Sequence, residues 1–365
     1  MGPARRSTKP LIIPVFIPHA ACPQRCLFCD QTRTTGRGSA PDPAAVPAAV
    51  EQFLNHSRAG RPWAEIAFYG GNFLGLAPEC IQTLLETAAA CAQRGKIHGI
   101  RFSTRPDTID DRRLGLLAPY PVTTVELGVQ SMNDDVLTLC RRGHTAECSR
   151  RAVAALRRHK YRLGLQMMIG LPGQSAEDAM ETGRQIAALH PDFVRIYPLL
   201  VLDRSPLAQW YREGRYTPLA LAEAVELTGR LYTLFTRCGI RVIRMGLQPT
   251  AELNPEAGVL SGPFHPAFGE LVHSSLWLNA LDAHLRREGM QGGSVAIEVE
   301  GRSLSRLKGW RNTNLTELRK RFGLREISAR AGPGIERDTA LVNGGRCPLD
   351  NPAGRLDPVP VDDSF

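Results

Sequence analysis

No run of this 365-residue chain is apolar for long enough to cross a membrane. The N-terminal Met1-Gly2-Pro3-Ala4-Arg5-Arg6-Ser7 carries basic residues but no signal-peptide core or cleavage site after them. Leu11–Ile17 is apolar, yet short and broken by Pro14, and Gly2 lacks the hydroxyl residue that myristoylation needs downstream. These absences predict a cytoplasmic protein. No G-x-G-x-x-G follows the first predicted strand, which argues against a dinucleotide-binding open sheet. The nine cysteines need not pair in a reducing cytosol. Six of them, Cys80, Cys91, Cys140, Cys148, Cys238 and Cys347, are scattered, with no second close cluster, and read as small core residues or inert thiols.

What is present begins with charge. The net charge is +9 and the pI about 9.3, which favours contact with phosphates. The densest basic stretch, Arg150–Arg162, places Val153, Leu156 and nearby alanines on one face of a predicted helix. Its basic residues form the other face, either simply solvated or available to RNA.

The remaining three cysteines lie in Cys22-Pro23-Gln24-Arg25-Cys26-Leu27-Phe28-Cys29. Thiols this close can face one metal centre without a long loop having to close, and soft sulfur suits iron–sulfur, zinc or copper(I). Structural zinc wants a fourth ligand; His19 is a candidate, but no second Cys/His pair at finger spacing follows. Cys26 and Cys29 alone also satisfy the C-x-x-C of a redox dithiol. A [4Fe-4S] cluster held by three cysteines leaves one iron open to chelate a small molecule. The C-x-x-x-C-x-x-C spacing resembles the signature of the radical S-adenosylmethionine (SAM) superfamily, in which the open iron binds SAM.

Strand and helix alternate along the chain. Strands are predicted at 9–16, 64–69, 99–104, 122–129, 163–169 and 193–197, with a candidate seventh at 241–245. Helices are predicted at 44–55, 79–94, 133–140, 146–159 and 176–189. Polar and glycine-containing motifs fall at the strands' C-terminal ends, where parallel α/β folds build their sites. The predicted fold is α/β: a partial (β/α)6 TIM-type barrel with a small C-terminal α+β domain. Residues 1–8 read as an extension, 9–250 as the barrel, 251–344 as the small domain packed on the barrel's open side, and 345–365 as a flexible tail. In the small domain His265 and His273 read as structural rather than metal-binding.

Several motifs follow the cysteine loop in order. Gly70-Gly71 ends the second strand. Phe102-Ser103-Thr104-Arg105-Pro106-Asp107 closes the third, and Glu126-Leu127-Gly128-Val129-Gln130-Ser131 the fourth. Then come Arg142-Gly143-His144-Thr145, Gly170-Leu171-Pro172-Gly173-Gln174, Tyr197-Pro198-Leu199-Leu200-Val201 and Gly214-Arg215-Tyr216. From Lys9 to Met245 this set resembles the radical SAM domain of the Elongator catalytic subunit family, which reads T-R-P-D, E-[IL]-G-V-Q-S, R-G-H-T, Y-P-x-L-V and G-R-Y. It is also similar to oxygen-independent coproporphyrinogen oxidase-like proteins.

The resemblance implies roles. Cys22, Cys26 and Cys29 hold a [4Fe-4S] cluster; Gly70 and Gly71 hold the SAM amine; Gln130 and Arg142 contact SAM, the arginine suiting its carboxylate. Ser103 stands where relatives often carry a glutamate for the SAM ribose. Residues after about 253 match no acetyltransferase domain, and no acetyl-CoA pyrophosphate loop is evident, so acetyl-CoA-dependent tRNA carboxymethylation does not carry over. The expected activity is reductive cleavage of SAM to a 5′-deoxyadenosyl radical, with a flavodoxin- or ferredoxin-type electron donor and tRNA or another nucleic acid as substrate. The alternatives are a tetrapyrrole-type radical enzyme and a nonenzymatic cluster- or SAM-binding protein.

Overall fold

The computed structural model describes residues 11–17, 22, 25–30, 43–56, 63–248 and 258–349. The expected extension 1–8, His19 and most of the expected tail lie outside them.

Six short apolar runs form β1 (Leu11–Phe16), β2 (Ala64–Tyr69), β3 (Gly99–Thr104), β4 (Val122–Gln130), β5 (Arg162–Ile169) and β6 (Phe193–Pro198). They lie side by side in sequence order and are all parallel. β7 (Val201–Leu202) leaves this sheet, and β8 (Arg241–Met245) takes the edge beside β6, so the candidate seventh strand is present. β9 (Val259–Ser261) pairs antiparallel with β7. The predicted partial barrel is thus the observed one.

Alternation sorts side chains between two faces. Ile66, Phe68, Ile100, Phe102, Leu127 and Ile196 are fully buried on the apolar face. The crossover helices are patterned to cover it: Pro78–Gln93 starts with proline in its first turn and buries Ile81, Leu84, Leu85 and Ala88, an i, i+3, i+4, i+7 stripe. Ala176–Ala188 is started by a capping box of Ser175 and Asp178. The other face carries Glu65, Tyr69, Arg101, Ser103, Glu126, Gln166 and Arg195, which share it by register. Side chains of β2, β4 and β6 touch one another there. Strands two apart in a sheet make such contacts only on the concave side of a curled sheet, so this face is the barrel lumen.

The basic helix Ala146–Arg157 buries Ala152, Val153 and Leu156 as expected. Its exposed charges are partly neutralised: Arg150 pairs with Glu147, and Arg158 with Asp111 at 2.8 Å.

A second compact unit comprises residues 219–239, 244–247 and 263 onward. The helix Leu221–Arg237, not read from the sequence, belongs to it. The helix Phe268–Arg287 packs on that helix, with Leu276 against Gly229. Four strands complete it: β10 (Ser294–Val299), β11 (Glu326–Ala331), β12 (Thr339–Val342) and β13 (Gly345–Pro348), in the order β11-β10-β12-β13. The start of the expected flexible tail is therefore a correction. Residues 345–348 form a strand, and Cys347 is fully buried. Asn343 and Gly344, at φ 46° and 84°, make the two-residue left-handed turn that closes a β12–β13 hairpin. His273 is buried and meets Tyr232 edge-on, a structural role. Among the described residues no helix is long and apolar enough to cross a membrane.

Candidate functional site

The cysteine loop leaves the C-terminal end of β1. Cys26 is buried, and Cys22 and Cys29 are partly so. Between them Leu27 acts as a plug. Its N–H donates to the Cys140 carbonyl at 3.0 Å, and its own carbonyl accepts from the Leu207 N–H at 2.8 Å. Its side chain is fully buried among Val136, Met168, Leu171, Leu199 and Tyr216, with Phe28 packed against the cluster. Tyr216, of Gly214-Arg215-Tyr216, donates to the Gly170 carbonyl at 2.6 Å and closes this core over the β5 loop. Burying such a leucine contributes about 1.5–3 kcal/mol, enough to hold a short loop in place.

Arg142 reaches the same corner. It is buried, its Nη1 donates to Cys26 Sγ at 3.1 Å and its Nη2 to the Gly128 carbonyl at 2.6 Å. Gly128 leaves room for this, since a Cβ there would stand 2.9 Å from Gln130 Nε2 and 3.4 Å from Arg142 Nη2. A second buried guanidinium lies close by. Arg105 grips Asp107 through two bonds of 2.9 and 2.8 Å and donates to the Arg142 carbonyl. Among the described residues its Nη1 has no hydrogen-bond partner. Asn72, after β2, pins this segment: its Oδ1 accepts from the Thr104 hydroxyl, the Arg105 N–H and the Thr108 hydroxyl at 2.8–3.1 Å. His144 is buried just before the Thr145 helix cap, and burial followed by the Arg142 charge pulls its pKa down to about 4.

Gly70 and Gly71 sit at the tip of β2, Gly70 with φ 89°. A side chain at Gly71 would run into the Ile17 carbonyl oxygen, so the two strand ends meet only because it is glycine. Gln130 ends β4 at a register irregularity, buried, with φ 68°. A left-handed glutamine is strained, and strain of this kind collects at functional positions. Its Oε1 accepts from Gln166 Nε2 at 3.1 Å. Ser103 is partly buried on the lumen face, in register with Glu126.

Below this rim the lumen is charged. Glu126 accepts the Tyr69 hydroxyl at 2.7 Å and pairs with Arg195 Nε at 2.7 Å and Arg101 Nε at 3.6 Å. Arg101 also reaches Glu65 at 3.4 Å. Burial and then the Glu126 charge raise the Tyr69 pKa well above its ordinary value, which keeps the phenol protonated as a donor. The sequence leaves Glu126 open to a backbone amide or a lysine; its partners are two arginines and a tyrosine. Tyr69, Arg101 and Arg195 carry no motif, and their one signal is a polar residue at a lumen-parity strand position.

The cysteines, Gly70, Gly71, Gln130 and Arg142 all stand at the C-terminal rim of one parallel sheet. The three thiols share a corner without converging on a point: no group of three or more Cys, His, Asp or Glu among the described residues has metal-holding geometry. They do sense one another. Burial, then Cys26 and Cys22, push the Cys29 thiol up to about 12, and burial followed by Cys26 raises Cys22. A metal centre offsets both effects by taking thiolate ligands, and the Arg142 donor on Cys26 Sγ suits an anionic sulfur. The donor set therefore fits a sulfur-ligated cluster.

A sequence model of the radical SAM superfamily matches residues 16–186, and one of the radical SAM C-terminal domain matches 191–277. The chain belongs to the radical SAM superfamily. It is 28% identical over 230 residues to a tRNA uridine(34) acetyltransferase of Dehalococcoides mccartyi, covering 54% of this chain and 50% of that one. It is 25% identical over 228 residues to protein YhcC of Escherichia coli K12, covering 58% of this chain and 70% of that one. The structure of Methanocaldococcus infernus Elp3 lacking residues 1–46 shares the fold, with a TM-score of 0.57 at 21% identity, covering 77% of this chain and 63% of that one. This radical SAM chain spans about half the length of the tRNA uridine(34) acetyltransferases it matches.

Proposed function

We propose that this chain is a radical SAM enzyme in which Cys22, Cys26 and Cys29 hold a [4Fe-4S] cluster and the substrate is a tRNA. A cluster held by these three thiolates would supply the single electron for reductive cleavage of SAM, and so the radical chemistry needed at an unactivated carbon. The observation that carries the reading is the Arg142–Cys26 contact at 3.1 Å, which brings the R-G-H-T segment onto the cysteine loop at the rim. Arg142 bonds a ligand sulfur and a backbone carbonyl and so sets the charge beside the cluster site. Gly70 and Gly71 would offer backbone groups to the SAM amine, and strained Gln130, its amide oxygen bonded to Gln166, stands at the same rim. Ser103 offers a hydroxyl where a carboxylate is expected, with Glu126 beside it in register.

The charged lumen supports a polar substrate over the apolar pocket that a tetrapyrrole-type enzyme expects. The tRNA relatives and the net charge of +9 support a nucleic acid. A flavodoxin- or ferredoxin-type protein is the proposed electron donor, and the cytoplasm the proposed compartment.

The test is anaerobic reconstitution with iron and sulfide, then SAM and dithionite with and without bulk tRNA, assaying 5′-deoxyadenosine. Its formation should depend on each of the three cysteines. A Cys26→Ala protein with full iron content and full SAM cleavage would refute the assignment.

A further inference from the structure

The most exposed large apolar side chain among the described residues is Trp310, 61% accessible, in the second unit. It adds little to any core, yet the chain goes to some length to hold it. Gly309, Arg311 and Asn312 all adopt left-handed backbone, at φ 72°, 49° and 65°. Gly309 does so without strain and Asn312 at little cost, while Arg311 is strained. A side chain at Gly309 would meet Thr313 Oγ1 at 2.6 Å and Asn314 Oδ1 at 2.9 Å, so the turn is tight as well as strained. Asn314, buried beneath it, donates through Nδ2 to the carbonyls of Leu307 at 3.0 Å and Ser274 at 2.9 Å. A buried asparagine thus fastens an exposed tryptophan turn to the helix Phe268–Arg287.

The charge around the turn has one sign. Residues 301–323 contain seven arginines and lysines against one glutamate. Arg306 is taken by Glu270 and Arg321 by Glu317 and Asp282. Among the described residues Arg302, Lys308, Arg311 and Lys320 have no carboxylate partner, and the Arg311 guanidinium lies 5.6 Å from the Trp310 ring centre. The basic helix Ala146–Arg157 differs: part of its charge is neutralised in place, and it displays no aromatic ring.

We infer that the Trp310 turn is a stacking platform for an unpaired base of RNA, with Lys308 and Arg311 holding the flanking phosphates. An exposed indole with a guanidinium over its ring and a lysine nearby in sequence is what sequence-tolerant binding of single strands uses, since every base offers a π-face and the backbone offers charge. Preorganisation by Asn314 and the left-handed turn lowers the ordering cost of binding. A double helix keeps its bases stacked internally and gives the indole nothing to cover. The inference rests on the reading that the substrate is RNA, but it concerns a surface of its own.

The experiment uses the full chain, a mixed-sequence single-stranded RNA 12-mer, a duplex of equal length, and bulk tRNA. Trp310→Ala should weaken binding of the single strand about 10-fold and remove the quenching of tryptophan fluorescence that accompanies it, while Trp310→Phe keeps most of the affinity. Lys308→Gln with Arg311→Gln should reduce the slope of log K against log salt by about 1.4, or about 0.7 per phosphate lost. If tRNA binds wild type and Trp310→Ala equally, the platform is wrong and the tRNA reading stands. If no RNA binds either protein, the platform and the tRNA reading both fail, while SAM cleavage is untouched. Competition by poly-glutamate as strong as by RNA would mark a face for an acidic protein and overturn the inference.

Discussion

Replacing Glu126 by alanine tests whether the lumen floor is sealed from water. Glu126 is 4% exposed and serves three groups: the Tyr69 hydroxyl, Arg195 and Arg101. Its removal strands the countercharge of two largely buried guanidiniums. Breaking a buried pair from one side costs about 3–5 kcal/mol, because the surviving charge keeps its desolvation penalty. Arg101 retains Glu65 at 3.4 Å, which argues for the lower end, about 3 kcal/mol. In a unit of this size that lowers the melting temperature by about 6–12 °C. Glu126→Gln keeps shape and acceptor and should cost about half as much, roughly 1–2 kcal/mol. The assay is thermal unfolding followed by near-ultraviolet circular dichroism. A double-mutant cycle with Arg195→Gln should show a coupling of about 1–3 kcal/mol. A Glu126→Ala protein melting within about 2 °C of wild type would mean that water reaches the carboxylate, and the argument for a dry, charged lumen would fail.

Gly71→Ala should force β1 and β2 apart at their tips, costing about 1–3 kcal/mol and weakening SAM binding; equilibrium dialysis with labelled SAM would expose an unaffected site. Gln130→Gly gains about 1 kcal/mol by relieving the left-handed backbone and loses about as much with the Gln166 bond, so its stability should stay near wild type while SAM affinity drops. A drop in both would make Gln130 structural. His273 supplies an acid-sensitivity test of the second unit. Burial, helped by Arg306 and Arg337 and opposed by Glu270, pulls it down to about 4, whereas the unfolded chain takes up that proton near pH 6.5. The stabilisation is complete above pH 6.5 and lost as pH falls toward 4, by about 3 kcal/mol in all. His273→Phe keeps the Tyr232 contact and should flatten that slope in hydrogen exchange of the helix Phe268–Arg287; an unchanged slope would place the proton elsewhere.

The barrel was legible because its strands are short apolar runs and its motifs fall at their C-terminal ends. The helix Leu221–Arg237 carries no motif and starts at Ala220, without a Ser, Thr, Asp or Asn cap to mark it. The β12–β13 hairpin escaped because glycine, proline and aspartate after residue 345 read as disorder, although Asn343-Gly344 is a hairpin signal in its own right. At the site, the cysteines, glycines, Gln130 and Arg142 could be named from spacing and resemblance, but their connections could not. The plug at Leu27 depends on Cys140 and Leu207, more than a hundred residues away in the chain, and no local pattern encodes such a contact.

The charged and strained residues of the site share a property. Glu65, Arg101, Glu126 and Arg195 are charges on strands whose other face is mainly apolar, and Gln130 is a side chain where only glycine is comfortable. Each breaks a local rule that the rest of its strand obeys, and each lies on one face or one rim of the same sheet. Burying two arginines and two glutamates stabilises a fold less than packing four apolar residues in their place. A barrel selected for stability alone would have filled its lumen with valine and leucine, as closed parallel barrels do. Stability alone therefore does not explain the charged lumen, which lies on the same sheet as the rim where the cysteine loop stands.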